Sequence, residues 1–178
     1  MGLLDFLFKT GEPEQQTGAA AGSAAIRKIT DALCRMEPDK ARYIASFAYI
    51  LGRVANADLS ISAEETHEME RIVEGMAGLP EEQAILVVQI ARTQNAMFGA
   101  TDGFSVTEAF SQTATRAQKL ALLNCLFAVS SSDHSISQVE DNEVRKISAE
   151  LRLDHSDFIG ARSVYLQHLQ VLKKAEDE

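Results

Sequence analysis

Tryptophan is absent from this chain of 178 residues, and proline, tyrosine and cysteine are scarce, with three, three and two copies. Runs of β-branched and aromatic residues, which favour strands, are also few. Helix-favouring Ala, Leu, Glu and Gln are abundant instead. The scarcity of strand formers and of helix breakers predicts an all-α protein, and the length suits one domain with a substantial core.

The two cysteines, Cys34 and Cys125, lie far apart, and neither has the CxxC spacing of a metal or redox site. We therefore interpret both as buried, small apolar residues in a reducing compartment. No apolar run approaches the roughly eighteen residues that a membrane span needs. The first nine residues lack the basic and apolar regions of a signal peptide. These observations favour a cytoplasmic location, with peripheral binding at the inner face of the membrane as a further possibility.

The charge is strongly acidic, with a formal net value of −9 and a pI of about 4.9. A surface of this kind repels phosphate backbones, which argues against nucleic acid as a direct ligand. It suits cations, basic partner surfaces, or solubility alone.

One stretch occurs twice, at a constant offset of 75 residues. Seven of the fifteen residues in 58–72 recur identically in 133–147, and the apolar positions keep the same register. An internal repeat of this length indicates duplicated architecture. We predict a pseudo-twofold helical bundle of about eight helices, built from two helix–turn–helix repeats.

The chain divides into four segments by composition. They are a short amphipathic leader (1–9), a flexible Gly/Ala/Gln/Glu linker (10–23), a helical domain (24–174) with repeats at about 40–98 and 115–174, and an acidic tail (175–178). Apolar spacing and capping signals predict helices from Ser23 to about Met36, Pro38 to about Asn56, Ser62 to about Gly78, Pro80 to about Phe98 and Val106 to Thr113, and then over 115–131, 137–151 and 155–174.

The leader carries four large apolar residues, Leu3, Leu4, Leu7 and Phe8. A short helix with this face could dock into the groove of a partner protein or insert shallowly at a membrane surface. Alternatively, the leader folds back on its own domain.

Part of the repeat is explained by helix capping. Ser62 with Glu65 and Ser137 with Glu140 form S-x-x-E capping boxes. In such a box the serine oxygen accepts a hydrogen bond from the third helical amide, and the glutamate accepts one from the amide of the cap residue. Each cap contributes about 1 kcal/mol.

Further acidic residues in each turn have no capping role, so we consider a metal site. The two sets of carboxylates are Asp58, Glu65 and Glu68 in the first half, and Asp133, Glu140 and Glu143 in the second. Three carboxylates with backbone and hydroxyl oxygens suit Ca²⁺ or Mg²⁺. An EF-hand is excluded, because its glycine and glutamate positions hold Ala63 and Met69.

The paired motif, Ala/Ser-Asp-x-x-Ile-Ser-x-x-Glu, resembles that of the TerB-like family, whose name comes from tellurite resistance. Similar domains occur at the N-terminal side of a membrane-anchored DnaJ-type co-chaperone. The resemblance covers about residues 26–172 and implies an all-helical, pseudo-twofold bundle. It also implies that the six carboxylates above bind a divalent metal, and that the protein serves a stress-response or membrane-associated complex rather than catalysis. The glycine that follows the aspartate in the family is replaced here by Leu59 and His134; a turn with positive φ would cost about 1 kcal/mol at Leu59 and less at His134.

The leading functional hypothesis is a non-enzymatic TerB-like interaction module that docks a partner protein and binds a divalent cation at its acidic turns. One alternative is a structural adaptor with no metal, in which both turns are caps and the leader docks. The other is an enzyme whose site lies in the cleft between the repeats.

Overall fold

The computed structural model describes residues 22–55, 63–93 and 103–170. Within these residues the secondary structure is helical, which confirms the all-α prediction. The helices are α1 (Gly22–Cys34), α2 (Pro38–Ala55), α3 (Ala63–Ala77), α4 (Glu81–Arg92), α5 (Gly103–Thr113), α6 (Arg116–Ser130), α7 (Gln138–Glu150), α8 (His155–Ser163) and the short 3-10 helix η1 (Leu166–His168). The pseudo-twofold relation between the halves stays a prediction.

Helix α2 lies at the centre of the fold. Every residue from Ile44 to Gly52 is buried, and a helix that is buried on all sides must be enclosed by other elements. It packs against α1, α4, α5, α6 and α7. Helix α6 is the second central helix, and α3 of the first half packs against it. No helix in the described part of the chain is long and apolar enough to cross a membrane.

The last predicted helix is shorter than expected. We predicted a helix over 155–174, but α8 ends at Ser163. The chain then turns through η1, and Leu169 forms an isolated parallel bridge with Ile136. The amide of Ile136 donates to the carbonyl oxygen of His168 at 2.6 Å, and the amide of Gln170 donates to the carbonyl oxygen of Ile136 at 3.0 Å. Because this bridge buries Leu169, tertiary packing overrides the helical pattern.

The ends of the helices were predicted with mixed success. Gly78 follows α3 with φ of +62°, which confirms its expected role just beyond the helix end. The prediction that Ser23 caps the first helix was wrong, because α1 already begins at Gly22. The burial of the cysteines was half right. Cys125 is buried in α6, whereas Cys34 is exposed at the end of α1.

Candidate functional site

The second acidic turn connects α6 to α7 and is stabilised by its own backbone. His134 has φ of +63°, so it adopts the left-handed conformation at the position where the family pattern has glycine. Asp133 Oδ1 accepts a hydrogen bond from the amide of Ser135 at 2.9 Å. This is an Asx turn, in which the aspartate replaces a backbone acceptor. The Asp133 carboxylate therefore has a structural role in the turn.

The predicted capping box at the start of α7 is present. Ser137 Oγ accepts from the amide of Glu140 at 3.2 Å, and Glu140 Oε2 accepts from the amide of Ser137 at 2.8 Å. These two bonds satisfy amides that the first turn of a helix leaves without partners.

Glu143 lies one turn further along α7 and forms an ion pair with Arg53 of α2. Arg53 donates from Nε and Nη2 to Glu143 Oε1 at 2.9 and 2.6 Å. The same guanidinium donates from Nη1 to Glu150 Oε2 at 2.6 Å. Only 9% of the Arg53 side chain and 7% of the Glu150 side chain are exposed, whereas 30% of Glu143 is. The cluster therefore contains one positive and two negative charges, largely shielded from water.

The guanidinium also joins α5 to this cluster. Nη1 of Arg53 donates to Thr107 Oγ1 at 2.8 Å and to the carbonyl oxygen of Gly103 at 3.4 Å. Desolvation lowers the pKa of Arg53, but hydrogen bonds to Glu150 and Glu143 outweigh it, so the net effect is to raise the pKa. Arg53 is thus a permanent cation that connects α2, α5 and α7.

The first acidic turn is only partly described. Asp58, Leu59 and Ser62 lie outside the described residues, and so do the leader residues Leu3, Leu4, Leu7 and Phe8. Glu65 and Glu68 are exposed on α3. Glu68 forms a local ion pair with Arg71 at 3.0 Å. The predicted capping box of Ser62 and the placement of the leader both stay predictions.

The structure does not bring the described candidate carboxylates into one group. Asp133, Glu140 and Glu143 have three different protein partners, as described above. Among the residues that the structure describes, no three His, Cys, Asp or Glu side chains are arranged to hold a metal ion. Metal binding by the full set of six carboxylates stays a prediction.

A second buried ion pair was not predicted. Asp141 Oδ1 and Oδ2 accept from Nε and Nη2 of Arg162 at 2.8 and 2.9 Å, so the pair is bidentate and fastens α8 to α7. At the offset of 75 residues Asp141 corresponds to Thr66, so comparing the halves gave no signal for it.

Arg53 was also missed, although the sequence contains a signal for it. It is a single charge at the end of an apolar run, Ile50-Leu51-Gly52-Arg53-Val54. A lone arginine in such a run must either reach water or have a buried acidic partner. At the offset of 75 residues Arg53 corresponds to Ala128 and Glu150 to Gly75. The differences between the repeats would therefore have indicated this cluster better than their similarities.

A cavity of about 630 Å³ lies where the starts of α2, α4 and α6 meet. Its size suits a small molecule. Asp39 is the carboxylate in its lining, and it pairs with Arg42 at 3.2 Å. Tyr43 also lines it, and burial raises the pKa of this phenol to about 12. None of the predicted site residues lines this cavity.

The described part of the chain is an all-α bundle in which a repeated acidic turn joins successive helices, and this defines the class of the protein. The sequence matches the family model described as tellurite resistance protein TerB over residues 43–163. The match covers most of the chain and includes both acidic turns, so the chain belongs to the TerB family. No curated protein and no solved structure matches it.

Proposed function

We propose that this chain is a non-enzymatic interaction module of the TerB family that docks a partner protein through an apolar surface. The observation that carries the proposal is a group of exposed aliphatic side chains, Ile159, Val164 and Leu166, within eight residues of α8 and η1. Val164 is 69% exposed. Exposed apolar side chains concentrated in one segment are typical of protein-interaction surfaces.

The segment that carries these residues is held in place at both ends. The Asp141–Arg162 ion pair fastens α8, and the bridge between Ile136 and Leu169 fastens the chain after η1. A surface fixed in this way loses little conformational freedom on binding, which favours affinity.

The polar groups of the second half support a non-enzymatic role. Asp133 and Glu140 accept hydrogen bonds from nearby amides, and Glu143 is paired with Arg53. A general acid or base must be within reach of a substrate proton. Carboxylates already engaged in turns, caps and helix pairs suit a scaffold better than they suit catalysis.

The docking surface is tested by pull-down with three full-length baits. We expect a protein captured by the wild type to be lost from an Ile159→Ser/Val164→Ser/Leu166→Ser bait. The matched control is Met76→Ser, which changes an exposed apolar residue of α3. The control should capture the same protein, and all three baits should melt at similar temperatures. Equal capture by all three baits would refute the proposal.

We also propose that the leader contributes to docking, through Leu3, Leu4, Leu7 and Phe8. Deleting residues 1–21 tests this, because the described helices begin at Gly22. The expected result is weaker capture of the same partner. Unchanged capture, or loss only of binding to anionic lipid vesicles, would count against docking on a protein.

Divalent-cation binding at the first acidic turn is a separate proposal, based on the family resemblance and on Asp58, Glu65 and Glu68. A thermal-shift titration with millimolar Ca²⁺ and Mg²⁺, on the wild type and on Asp58→Asn, tests it. A saturable shift that the substitution abolishes supports binding. The absence of any cation-dependent shift in the wild type contradicts it.

The biological setting is proposed from the family alone. We propose a cytoplasmic stress-response role, with tellurite as the first stress to examine. A strain that lacks the protein should grow less well on tellurite, and the wild-type chain should restore its growth. Equal growth with and without the protein would reject tellurite as the relevant stress.

A further inference from the structure

The family resemblance implies a divalent cation at each acidic turn, and the second turn can be examined for its fit to one. A Ca²⁺ or Mg²⁺ site needs several oxygen ligands that converge at about 2.0–2.6 Å from one point. Here Asp133 Oδ1 and Glu140 Oε2 accept hydrogen bonds from backbone amides of Ser135 and Ser137. Glu143 Oε1 accepts two N–H groups of Arg53. The carboxylates of this half do not converge, so the second turn does not fit a divalent cation.

A positive charge is nevertheless present beside Glu143. The Arg53 guanidinium donates to Glu143, Glu150 and Thr107 through short hydrogen bonds. A divalent ion bound to Glu143 Oε1 would lie within about 5 Å of the guanidinium, given ordinary metal–oxygen distances. Like charges at that separation repel each other, and the more so where water is largely excluded.

We infer that, in the second half, the guanidinium of Arg53 takes the place of the divalent cation that the family resemblance implies. Arg53 neutralises one of the two charges on Glu143 and Glu150, and it joins α7 to α2 and α5 without any metal. The second acidic turn therefore does not bind Ca²⁺ or Mg²⁺.

The two halves differ at the positions that matter for this inference. The residue that corresponds to Arg53 is Ala128, which has no charge to offer Glu68. Glu68 is exposed and pairs instead with its neighbour Arg71, at 3.0 Å. Any response of the protein to divalent cations consequently belongs to the first half, and it should not depend on Glu143.

The first test compares Glu143→Gln with Glu68→Gln, two substitutions at corresponding positions. Melting temperatures of the full chain are measured with millimolar CaCl₂ or MgCl₂, and with NaCl at matched ionic strength. We expect the cation-dependent shift of Glu143→Gln, if any, to equal that of the wild type. A wild-type shift that Glu143→Gln abolishes and Glu68→Gln retains would overturn the inference.

The second test removes the internal cation. Arg53→Gln should lower the melting temperature by several degrees, and Ca²⁺ or Mg²⁺ should restore part of that loss where NaCl does not. The restoration should disappear in Arg53→Gln/Glu143→Gln. The matched control, Arg71→Gln, removes an exposed arginine beside Glu68 and should show neither effect. Failure of divalent cations to stabilise a folded Arg53→Gln variant would contradict the exchange of guanidinium for metal. If that variant does not fold, the Glu143→Gln comparison still decides the inference.

Discussion

The ion pair between Asp141 and Arg162 predicts an unequal response to the loss of either partner. Its two hydrogen bonds are 2.8 and 2.9 Å long, and 7% of the Asp141 side chain is exposed, against 18% of Arg162. In Arg162→Met the carboxylate stays buried without its partner, which should lower the free energy of unfolding by about 3–5 kcal/mol. In Asp141→Asn the guanidinium has a long stem that can reach water, so the loss should be nearer 1–2 kcal/mol.

The double variant Asp141→Asn/Arg162→Met gives the sharper test. It removes the uncompensated charge, so it should be more stable than Arg162→Met alone. Urea unfolding followed by circular dichroism measures all three free energies, with a loss of 3 kcal/mol lowering the midpoint by about 1–3 M. Arg71→Met, at an exposed pair, is the control and should cost about 1 kcal/mol or less. Equal losses for the two single variants, or a double variant less stable than Arg162→Met, would refute the reasoning.

Three other features of the described residues give predictions. Burial raises the pKa of the Cys125 thiol from 9.0 to about 12; the unfolded chain therefore loses this proton first, and stability should fall as pH rises between those values, by up to about 1.4 kcal/mol per pH unit. Cys125→Ala should flatten this slope in urea titrations, and an unchanged slope would contradict the assignment. Because Cys34 is exposed and Cys125 is buried, a thiol reagent should label one cysteine in the native protein and the second only after denaturation, so two fast thiols would contradict the structure. Gly78→Ala should destabilise the protein by about 1 kcal/mol because of its positive φ, while Gly75→Ala, inside α3 with nothing within 4 Å of the added methyl, should stabilise it by up to about 1 kcal/mol; thermal melts that show the same sign for both would reject this.

The features that could be predicted from the sequence are those that depend on neighbouring residues. The capping box at Ser137 and Glu140 needs residues three apart, and the C-terminal glycine of α3 needs one residue with φ > 0. Both were read correctly from short motifs. The end of α8 at Ser163 was not, because the chain leaves the helix to pair with Ile136, well before it in sequence. The Asp turn itself was recognised, but its use as an Asx turn rather than as a ligand required coordinates.

The partner of Glu143 could not be predicted from its own repeat, because Arg53 lies in the other half, ninety residues away. Within each repeat, Glu68 and Glu143 occupy the same position and look equivalent. Their environments differ because the residue that faces Glu143 across the helix pair is an arginine, whereas its counterpart is Ala128. Equivalence of motif therefore does not establish equivalence of site in this duplicated sequence.

The position of Arg53 also explains why a buried charge is tolerated at the centre of the fold. Apolar side chains on α2, α5 and α7 can pack in more than one register, whereas a guanidinium has a rigid, planar set of donors. Arg53 uses those donors on Thr107 of α5 and on Glu143 and Glu150 of α7. The carboxylates are two turns apart on α7, so sliding or rotating this helix by one residue would break at least one short bond. The cluster thus selects one arrangement of the three helices, and it places the second acidic turn against the end of α2, from which the chain enters the first.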